Sequence, residues 1–421
     1  MNDFKFDITI VGGGASGIMA AISAKRNNPQ MQIALIEGSF ALGRKLLLSG
    51  AGRCNLTNSN LSKNDYLSHY DSDNLTFVDK VFKKFDYQQI NGFFKDLGID
   101  LFEEKIKSQG KIFPISESAK NIINILSEEL NRLGVEVFLK TECVDIEHTG
   151  RNFLLTINKD GKKQFIDSTK IVLTTGGMSY PSIGIYGKGY GFAEKFGHKV
   201  FPCIPVAVPL LSKDRFCKNS AGIKIRAKLY SSINQVQVQE LHDDVLFTSY
   251  GLSGSGILRL STRISKEFAQ NKNSIVKIQI NFLPDLSKED FIKRIEAVEE
   301  ERLWIMLLGL LPSKLVDNLL LDISISKDVY IKELSIEQRK KILDILYDKT
   351  ISVYGIKGWN EAEFTAGGVS MNEINPEKME SIYVKDLYFA GEILNVDGEI
   401  GGYNLSWAWA SGFVAGISCS R

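Results

Sequence analysis

Apolar runs and turn residues alternate regularly near the start of the chain. The apolar run 5–11 is followed at once by glycines, small and apolar residues suited to a packed helix cover 15–27, and a second apolar run at 32–36 ends in Glu37. A strand, a glycine turn, a helix and a strand that ends in an acid are typical of a parallel α/β sheet. The pattern therefore predicts that the chain opens with such a sheet.

Further helices and strands are predicted up to residue 203. Apolar residues at helical spacing predict one helix over 73–97 and another over 117–133, with Ser116 and Ser118 as candidate caps. Apolar runs predict five strands, at 135–140, 143–147, 152–158, 163–167 and 170–174. The last of these strands leads into Gly176 and Gly177.

The pattern changes at about residue 204, where short β-rich stretches begin to alternate with helical ones. Glycine becomes sparse between 257 and 350, and glycine-rich α/β texture resumes at 364. We therefore predict an inserted β-barrel-like and helical domain over 204–355, between two parts of one nucleotide-binding domain at 1–203 and 356–421. The predicted strands of the insertion are 205–211, 222–230, 233–239, 244–249 and 275–282, and its predicted helices are 253–268, 288–308, 312–320 and 335–348. A strand over 382–389 and a small-residue helix over 402–417 are expected near the end.

Composition and charge narrow the class of protein. The 421 residues include 51 Lys and Arg against 50 Asp and Glu, so the net charge of +1 offers no broad field to attract nucleic acid or anionic lipid. No membrane span is expected, because the most apolar run, 303–311, is about half the roughly 20 residues that a span needs. No secretory signal is visible, and the scattered cysteines and histidines predict neither disulfides nor a metal site. A cytoplasmic protein without a structural metal is expected.

Gly12-x-Gly14-x-x-Gly17 lies where a dinucleotide-binding fingerprint must lie, between a predicted strand and a predicted helix. Gly12 permits the tight turn, Gly14 allows close approach of a pyrophosphate and Gly17 lets the helix pack on the strand. Glu37, at the end of the next strand, can accept a hydrogen bond from a ribose hydroxyl. The alternative is a tight βα turn without a ligand, but strand, helix and acid together favour nucleotide binding.

Two more glycine-rich strand ends occur far along the chain, at 176–177 and 391–402. Either can be a simple turn, and the second can precede a core helix in which two tryptophans merely pack. The loop 43–58 carries three cations suited to anionic groups, although it can also be a solvated basic turn. Three such strand ends in one chain favour an extended ligand such as FAD, which is long enough to touch them all.

The sequence resembles a bacterial FAD-dependent oxidoreductase family that includes aminoacetone oxidase and a 3-dehydro-bile-acid reductase. The matching stretches span nearly the whole chain: VGGGASG at 11–17, GRKLLLSGAGRCNLTN at 43–58, KIFPISESA at 111–119, TTGGMSYPSIGIYGKGYGFAEKFGH at 174–198, LFTSYGLSG at 246–254, TAGGVS at 365–370 and FAGEILNVDGEIGGYNLSWAWASG at 389–412. The resemblance implies a glutathione-reductase-like Rossmann FAD-binding domain with an inserted β-rich plus helical domain.

The resemblance also implies which residues bind non-covalent FAD. The first strand end would hold the pyrophosphate, Glu37 and Gly38 the adenosine ribose, two cations nearby oxygens, and the backbone of Val144 the adenine. The second and third strand ends and the loop before residue 56 would line the ribityl chain and the flavin ring. The remaining implied residues are Gly12, Gly14, Ala15, Ser16, Gly17, Arg44, Lys45, Ser49, Gly50, Gly52, Arg53, Cys54, Asn55, Thr175, Gly176, Gly177, Gly391, Glu392, Gly401, Gly402, Tyr403 and Asn404.

Two motifs invite sharper interpretations that the sequence does not favour. Cys54 is expected beside the flavin, but a redox thiol needs a resolving partner or an activating charge, so packing is favoured. Gly187-x-Gly189-x-Gly191 resembles part of a second nucleotide site, but it follows no strand run and favours a close-packed turn. His198 and Cys203 are expected to be structural.

The sequence predicts an FAD-dependent oxidoreductase that transfers a hydride between non-covalent FAD and a small organic substrate or NAD(P)H. The alternatives are a non-catalytic flavin-binding regulatory or RNA-associated protein and a nicotinamide-dependent dehydrogenase. NAD(P)H is a candidate transient donor, and neither nucleic acid nor membrane is an expected partner. We further predict that the insertion closes the substrate pocket over the flavin, and that the helix opened by Gly401 and Gly402 points at flavin N1 and O2.

Overall fold

The fold was analysed in a computed structural model that describes residues 3–67, 74–104, 109–184 and 186–421. The described chain forms two compact units, one made of residues 1–205 and 364–421 and the other of residues 206–363. Sequence analysis places the insertion at 204–355, so the structure's second unit begins two residues later and ends eight residues later. Each unit has its own hydrophobic core.

The described residues form 23 strands and twelve α-helices. The strands are β1 (Phe4–Val11), β2 (Ile33–Ile36), β3 (Thr57–Asn58), β4 (Tyr66–Leu67), β5 (Leu101–Glu103), β6 (Lys111–Pro114), β7 (Glu136–Phe138), β8 (Thr141–His148), β9 (Phe153–Lys159), β10 (Lys162–Leu173), β11 (Val200–Val206), β12 (Leu210–Leu211), β13 (Lys224–Ile233), β14 (Val236–Thr248), β15 (Gly251–Ser253), β16 (Val276–Asn281), β17 (Lys349–Val353), β18 (Gly355–Ile356), β19 (Phe364–Val369), β20 (Ile374–Asn375), β21 (Glu380–Ser381), β22 (Leu387–Phe389) and β23 (Asp397–Gly398).

The helices are α1 (Ala15–Asn27), α2 (Asn74–Phe82), α3 (Tyr87–Asp96), α4 (Ala119–Arg132), α5 (Lys188–Lys195), α6 (Arg215–Asn219), α7 (Ser255–Gln270), α8 (Lys288–Ala297), α9 (Leu303–Leu308), α10 (Ser313–Asp322), α11 (Ile336–Tyr347) and α12 (Tyr403–Cys419).

A nine-stranded sheet forms the centre of the first unit. Its main path runs β20-β21-β22-β10-β1-β2-β7, and β9 pairs with the early part of β10 and with β8. The strands β22, β10, β1, β2 and β7 are parallel to one another. The carboxyl ends of β22, β10 and β1 therefore lie side by side at one edge, which is where ligands bind in open α/β sheets.

Helices α1 and α12 pack closely against each other in the first unit. A Cβ at Gly412 would overlap the backbone oxygen of Ser16, and one at Gly416 would overlap that of Ala20. Glycine at these two positions lets the backbones of the helices approach each other. The close packing brings the start of α12 toward the turn between β1 and α1.

The second unit is built on a seven-stranded sheet with the order β17-β16-β13-β14-β15-β12-β18. All of the pairings described within this sheet are antiparallel. Among the described residues, none of these strands pairs with the parallel sheet of the first unit. Apolar side chains of alternate strand positions, such as Leu229, Ile278 and Ile351, lie in the core that the helices of this unit cover.

Several predicted elements differ in their bounds. The helix predicted over 73–97 begins outside the described residues and is two helices, because Asp86 caps α3 with a capping box that starts a new helix. The strands predicted at 163–167 and 170–174 form the single strand β10. Of the strand predicted at 382–389, only the residues of β22 form a strand. The helix predicted at 288–308 is divided into α8 and α9. Ser118 caps α4 as predicted.

Candidate flavin-binding site

The turn between β1 and α1 has the conformation that a bound pyrophosphate requires. Gly12 has a φ of +113°, and a Cβ at Gly17 would overlap the backbone oxygen of Gly12, so both positions need glycine for the fold itself. A Cβ at Gly14 would meet nothing within 4 Å. No side chain caps α1 and its first turn, which begins with Ala15 and Ser16, holds no acidic residue. The helix start is thus electropositive and open at Gly14.

Glu37 is held beside this turn by two backbone donors. Its Oε2 accepts from the N–H of Gly13 at 2.9 Å, and its Oε1 accepts from the N–H of Ser39 at 2.7 Å. Gly38, next to it, has open space around its Cα. The carboxylate is therefore fixed at the end of β2, where sequence analysis expects it to meet a ribose.

The second strand end follows β10. The Oγ1 of Thr174 donates to the backbone oxygen of Gly12 at 2.8 Å and so ties this strand end to the first one. Gly176 has a left-handed φ of +72° with open space beyond it, whereas Gly177 packs tightly against Thr365. Thr175 is turned toward Gly189, and its buried Oγ1 has no partner among the described residues.

The third strand end follows β22 and carries a partly buried ion pair. Lys45 Nζ lies 2.7 Å from Glu392 Oε2 and 2.5 Å from Ser179 Oγ, and the N–H of Thr365 donates to Glu392 Oε1 at 2.8 Å. Gly391 has a φ of +81°, and a Cβ there would overlap Ser16 Oγ at the start of α1. The structure thus brings all three predicted strand ends together.

The loop from 46 to 54 is conformationally strained. Gly50 and Gly52 have positive φ values, but so do Ala51 at 57° and Cys54 at 68°. Positive φ in residues other than glycine costs of order 1–3 kcal/mol and is concentrated at functional sites. The Oγ of Ser49 donates to the backbone oxygen of Leu46 at 2.7 Å, which fastens the start of the strained stretch.

The start of α12 lies against the end of this loop. A Cβ at Gly402 would overlap the backbone oxygen of Thr57 and come within 3.1 Å of Asn55 Oδ1. Asn58 Nδ2 donates to the backbone oxygen of Gly401 at 2.9 Å, and Thr57 Oγ1 lies 2.8 Å from Ser406 Oγ. Asn55 is buried, and its Oδ1 has no partner among the described residues.

Tyr403 and Asn404, the first residues of α12, are fastened on both sides. The hydroxyl of Tyr66 donates to the backbone oxygen of Tyr403 at 2.7 Å. The carboxamide of Asn404 accepts from the N–H of Gly398 at 2.9 Å and donates to its oxygen at 2.8 Å. These contacts fix the direction in which the helix starts.

Arg44 and Arg53, like Lys45, form polar contacts within the protein. Arg44 Nη1 donates to the backbone oxygen of Ile183 at 2.8 Å. Arg53 pairs with Glu104 at 3.0 Å and with Glu117 at 3.3 Å. Burial opposes the charge of Arg53, but the two carboxylates outweigh this effect and raise its pKa.

Lys111 is a residue that sequence reasoning missed. It begins β6, which pairs with β3, and its Cε lies 3.7 Å from the position of a Cβ at Gly401. The motif KIFPISESA begins at this lysine, but only the strand pairing brings it to the start of α12. The sequence holds no local signal for that contact.

Val144 lies apart from the other predicted residues, on β8. Cys143 and Asp145 pair with consecutive residues of β9, so Val144 between them has no partner in the described register. Val144 is 53% exposed. A strand residue outside the ladder has backbone groups available for a ligand. This position is compatible with the predicted adenine contact, which stays a prediction.

Cys54, Gly187 and Gly189 are closely packed within the protein. Cys54 is fully buried, and burial raises the pKa of its thiol to about 12, which is compatible with the predicted packing role. Gly187 starts α5, and Cβ atoms at Gly187 and Gly189 would collide with Met178 and Thr175, as expected of a close-packed turn. Buried His198 bonds Ser381 at 2.8 Å and faces Glu373 at 3.3 Å.

These residues fit FAD as a cofactor. Open space at Gly14 beside an uncapped helix suits a pyrophosphate, the fixed carboxylates of Glu37 and Glu392 suit two polyhydroxyl groups, and the orphaned Asn55 Oδ1 suits a ring N–H. No cluster of potential metal ligands occurs among the described residues. In the same part of the chain, no helix combines the length and apolarity needed to cross a membrane.

The fold and this site define the chain as an oxidoreductase with a Rossmann-like FAD-binding domain and an additional sheet with helices. The chain belongs to the HI0933-like family, since residues 6–418 match the family described as "HI0933-like protein Rossmann domain". It is an enzyme of the flavin-dependent oxidoreductase class.

Two kinds of full-length relatives are similar in sequence. The 3-dehydro-bile acid delta(4,6)-reductase of Clostridium scindens is 32% identical over 418 residues, which cover 98% of this chain and 99% of that protein. The ribosomal RNA dihydrouridine synthase of Haemophilus influenzae is 30% identical over 423 residues, covering 98% of each chain. Its Escherichia coli namesake is 31% identical over 412 residues, covering 97% of this chain and 96% of that one.

Solved structures share the fold at low sequence identity. The 3-ketosteroid-Δ4-(5α)-dehydrogenase of Rhodococcus jostii matches with a TM-score of 0.52 at 13% identity, over 100% of this chain and 98% of that one. The quinol fumarate reductase of Escherichia coli matches with a TM-score of 0.52 at 16% identity, over 100% of this chain and 70% of that one. Both likenesses concern the fold alone.

Proposed function

We propose that this enzyme is an FAD-dependent reductase of a carbon–carbon double bond conjugated to a carbonyl group. The observation that carries the proposal is the chemistry shared by its two kinds of relatives. A 3-oxo-Δ4,6 bile acid and the uracil ring of uridine both present such a bond, and the names of both relatives describe its saturation. Both relatives align over 98% of this chain.

The chain's own residues would hold FAD along the edge of the parallel sheet. The turn at Gly14 would take the pyrophosphate, Glu37 the adenosine ribose and Glu392 the ribityl chain. The ion pair with Lys45 orients Glu392 at the end of β22. When bound, FAD supplies the hydride that the reaction transfers.

Reduction of a conjugated double bond places specific demands on the protein. A hydride adds to the carbon remote from the carbonyl, a proton adds to the adjacent carbon, and charge develops on the carbonyl oxygen. The site must therefore exclude water, orient the double bond and offer a donor to that oxygen. NAD(P)H is the proposed source of electrons.

The substrate is proposed to be a small unsaturated carbonyl compound, and uridine in ribosomal RNA is the competing substrate. The net charge of +1 favours the small molecule, because RNA-binding surfaces are basic. The two RNA-modifying relatives favour the other substrate. Both candidate substrates undergo the same reduction of a conjugated double bond, so an assay with each substrate is needed to distinguish them.

The decisive experiment is anaerobic turnover of the FAD-loaded enzyme. NADH and NADPH are tested as donors, and the acceptors are a 3-oxo-Δ4,6 steroid acid and unmodified ribosomal RNA, each with its saturated form as the control. We expect the product of one acceptor to gain two hydrogen atoms by mass spectrometry. Turnover of neither acceptor, with rapid reoxidation by oxygen after reduction by an amine, would overturn the reductase assignment in favour of an oxidase.

A further inference from the structure

Lys111 places a cation at the start of α12 that nothing in the described structure neutralises. Its Cε is 3.7 Å from where a Cβ at Gly401 would stand, and no described residue forms an ion pair or hydrogen bond with its ammonium group. Asn58, its neighbour across the β3–β6 pairing, fastens Gly401 through its backbone oxygen. The cation is therefore held next to the helix end by a short sheet.

The helix end itself is electropositive. Gly402 precedes α12 in a left-handed conformation without a side-chain cap, and the first turn of this 17-residue helix holds no acidic residue. The summed peptide dipoles place about half a positive charge at a helix N-terminus. A lysine beside such an end repels it, so the arrangement is stable only in water or with a negative charge between them.

A second observation shows that a ligand with polar atoms belongs at this place. Asn55 is 8% exposed and its Oδ1 has no partner among the described residues, yet this atom lies within 3.1 Å of where a Cβ at Gly402 would stand. A buried acceptor without a hydrogen-bond donor destabilises the fold. A ring edge with one N–H donor and neighbouring carbonyl acceptors would satisfy Asn55, the helix end and Lys111 at once.

The other nearby candidate cation is already neutralised. Arg53 pairs with Glu104 and Glu117 and lies over the ring of Phe113, 4.2 Å from its centre. Its charge is therefore met by two carboxylates. Lys111 has no such partner among the described residues.

We propose that Lys111 and the first turn of α12 together bind the negative charge that two-electron-reduced FAD carries at N1 and O2, with Asn55 accepting from N3–H. Sequence analysis predicts only that the helix opened by Gly401 and Gly402 points at N1 and O2. The structure adds Lys111 beside the start of this helix. The proposal rests on FAD as the cofactor and is independent of the substrate. Lys111 thus tunes the reduction potential of the flavin.

Sulfite binding and redox titration test this role without turnover. Sulfite adds to oxidised flavin and places a negative charge at N1 and O2, so its affinity reports a cation at that position. The variants are Lys111→Met, Lys111→Arg as the conservative change and Lys95→Met as the control, since Lys95 is an exposed lysine near the end of α3.

We expect Lys111→Met to weaken sulfite binding about tenfold and to lower the potential by about 30 mV, the equivalent of tenfold for a two-electron couple. Lys111→Arg should retain most of both properties, and Lys95→Met should match the wild type. An FAD-loaded Lys111→Met with wild-type sulfite affinity and potential would overturn this proposal alone. A wild type that holds no FAD would overturn the cofactor assignment as well.

Discussion

Glycines of the second unit can be compared with Gly14 of the first unit. In the unit of residues 206–363, Gly251 and Gly254 have positive φ, and Cβ atoms there would collide with the backbone oxygens of Leu210 and Asp244. In the first unit, Gly14 has an ordinary φ of −78°, and a Cβ there would touch nothing. Neither conformation nor packing requires glycine at 14, so the space beside it is open to a ligand at the start of α1.

This difference separates a fold from a site. Glycines whose absent side chains would strike the protein explain how strands and helices approach each other. A glycine that faces open space, at the edge where β1, β10 and β22 end, indicates a ligand. Substitutions in the two units should therefore affect stability and cofactor binding in separable ways, and the next three predictions test this.

The largest effect is expected from Gly17→Val. A side chain at 17 would overlap the backbone oxygen of Gly12 and approach Thr174 Oγ1 at 2.8 Å, so α1 cannot pack on β1 as it does. We expect loss of the folded first unit together with all FAD binding, measured by near-UV circular dichroism and by flavin retention. Normal folding with bound FAD would show that the turn can rearrange.

The next largest effect is expected from Phe291→Ala in the second unit. Phe291 is fully buried on α8, and truncation of such a residue costs about 3–5 kcal/mol. Because its core is separate from that of the first unit, the affinity of purified folded protein for FAD should stay within about twofold of the wild type. Urea unfolding and FAD titration measure the two properties, and a large loss of FAD affinity in the folded variant would refute the separation.

Gly14→Ala is expected to lower the affinity for FAD without lowering the stability of the apoprotein. The new methyl group meets no protein atom, so the apoprotein should unfold at the same urea concentration as the wild type. FAD affinity should fall at least about tenfold, or about 1.4 kcal/mol, because the methyl group would occupy the space of the pyrophosphate. Gly191→Ala is the matched control, since that glycine also faces open space but lies on α5, away from the strand ends. Equal FAD affinity in both variants would place the phosphates elsewhere.

The sequence predicts the strand ends better than the contacts between them. The order of strand, glycine turn and helix is a local pattern, so β1, α1 and β2 appear within a residue of their predicted bounds. Lys111 could not be found in this way, because its approach to Gly401 depends on pairing between β3 and β6, some 50 residues apart. Asp86 and Gln89 form a capping box that marks the boundary between α2 and α3. The apolar residues keep helical spacing across this boundary, so the apolar pattern alone predicts one continuous helix.

The smallest effect concerns the pH dependence of the first unit. Burial lowers the pKa of His198 below its ordinary value of 6.5, and nearby Glu373 only partly opposes this effect. The unfolded chain therefore binds a proton at a pH where the folded one does not, so stability is full above about pH 6.5 and is lost as the pH falls toward the folded pKa. The slope cannot exceed about 1.4 kcal/mol per pH unit for one group.

His198→Gln should flatten this part of the stability curve. Urea unfolding between about pH 7.5 and 5 should show a smaller loss of stability on acidification than in the wild type, although the variant is less stable at neutral pH because the bond to Ser381 is disturbed. His148→Gln, on the exposed end of β8, is the control that should keep the wild-type slope. An unchanged slope in His198→Gln would mean that another group in the first unit accepts the proton. The acid sensitivity of the first unit would then not arise from the buried contact between His198 and Ser381.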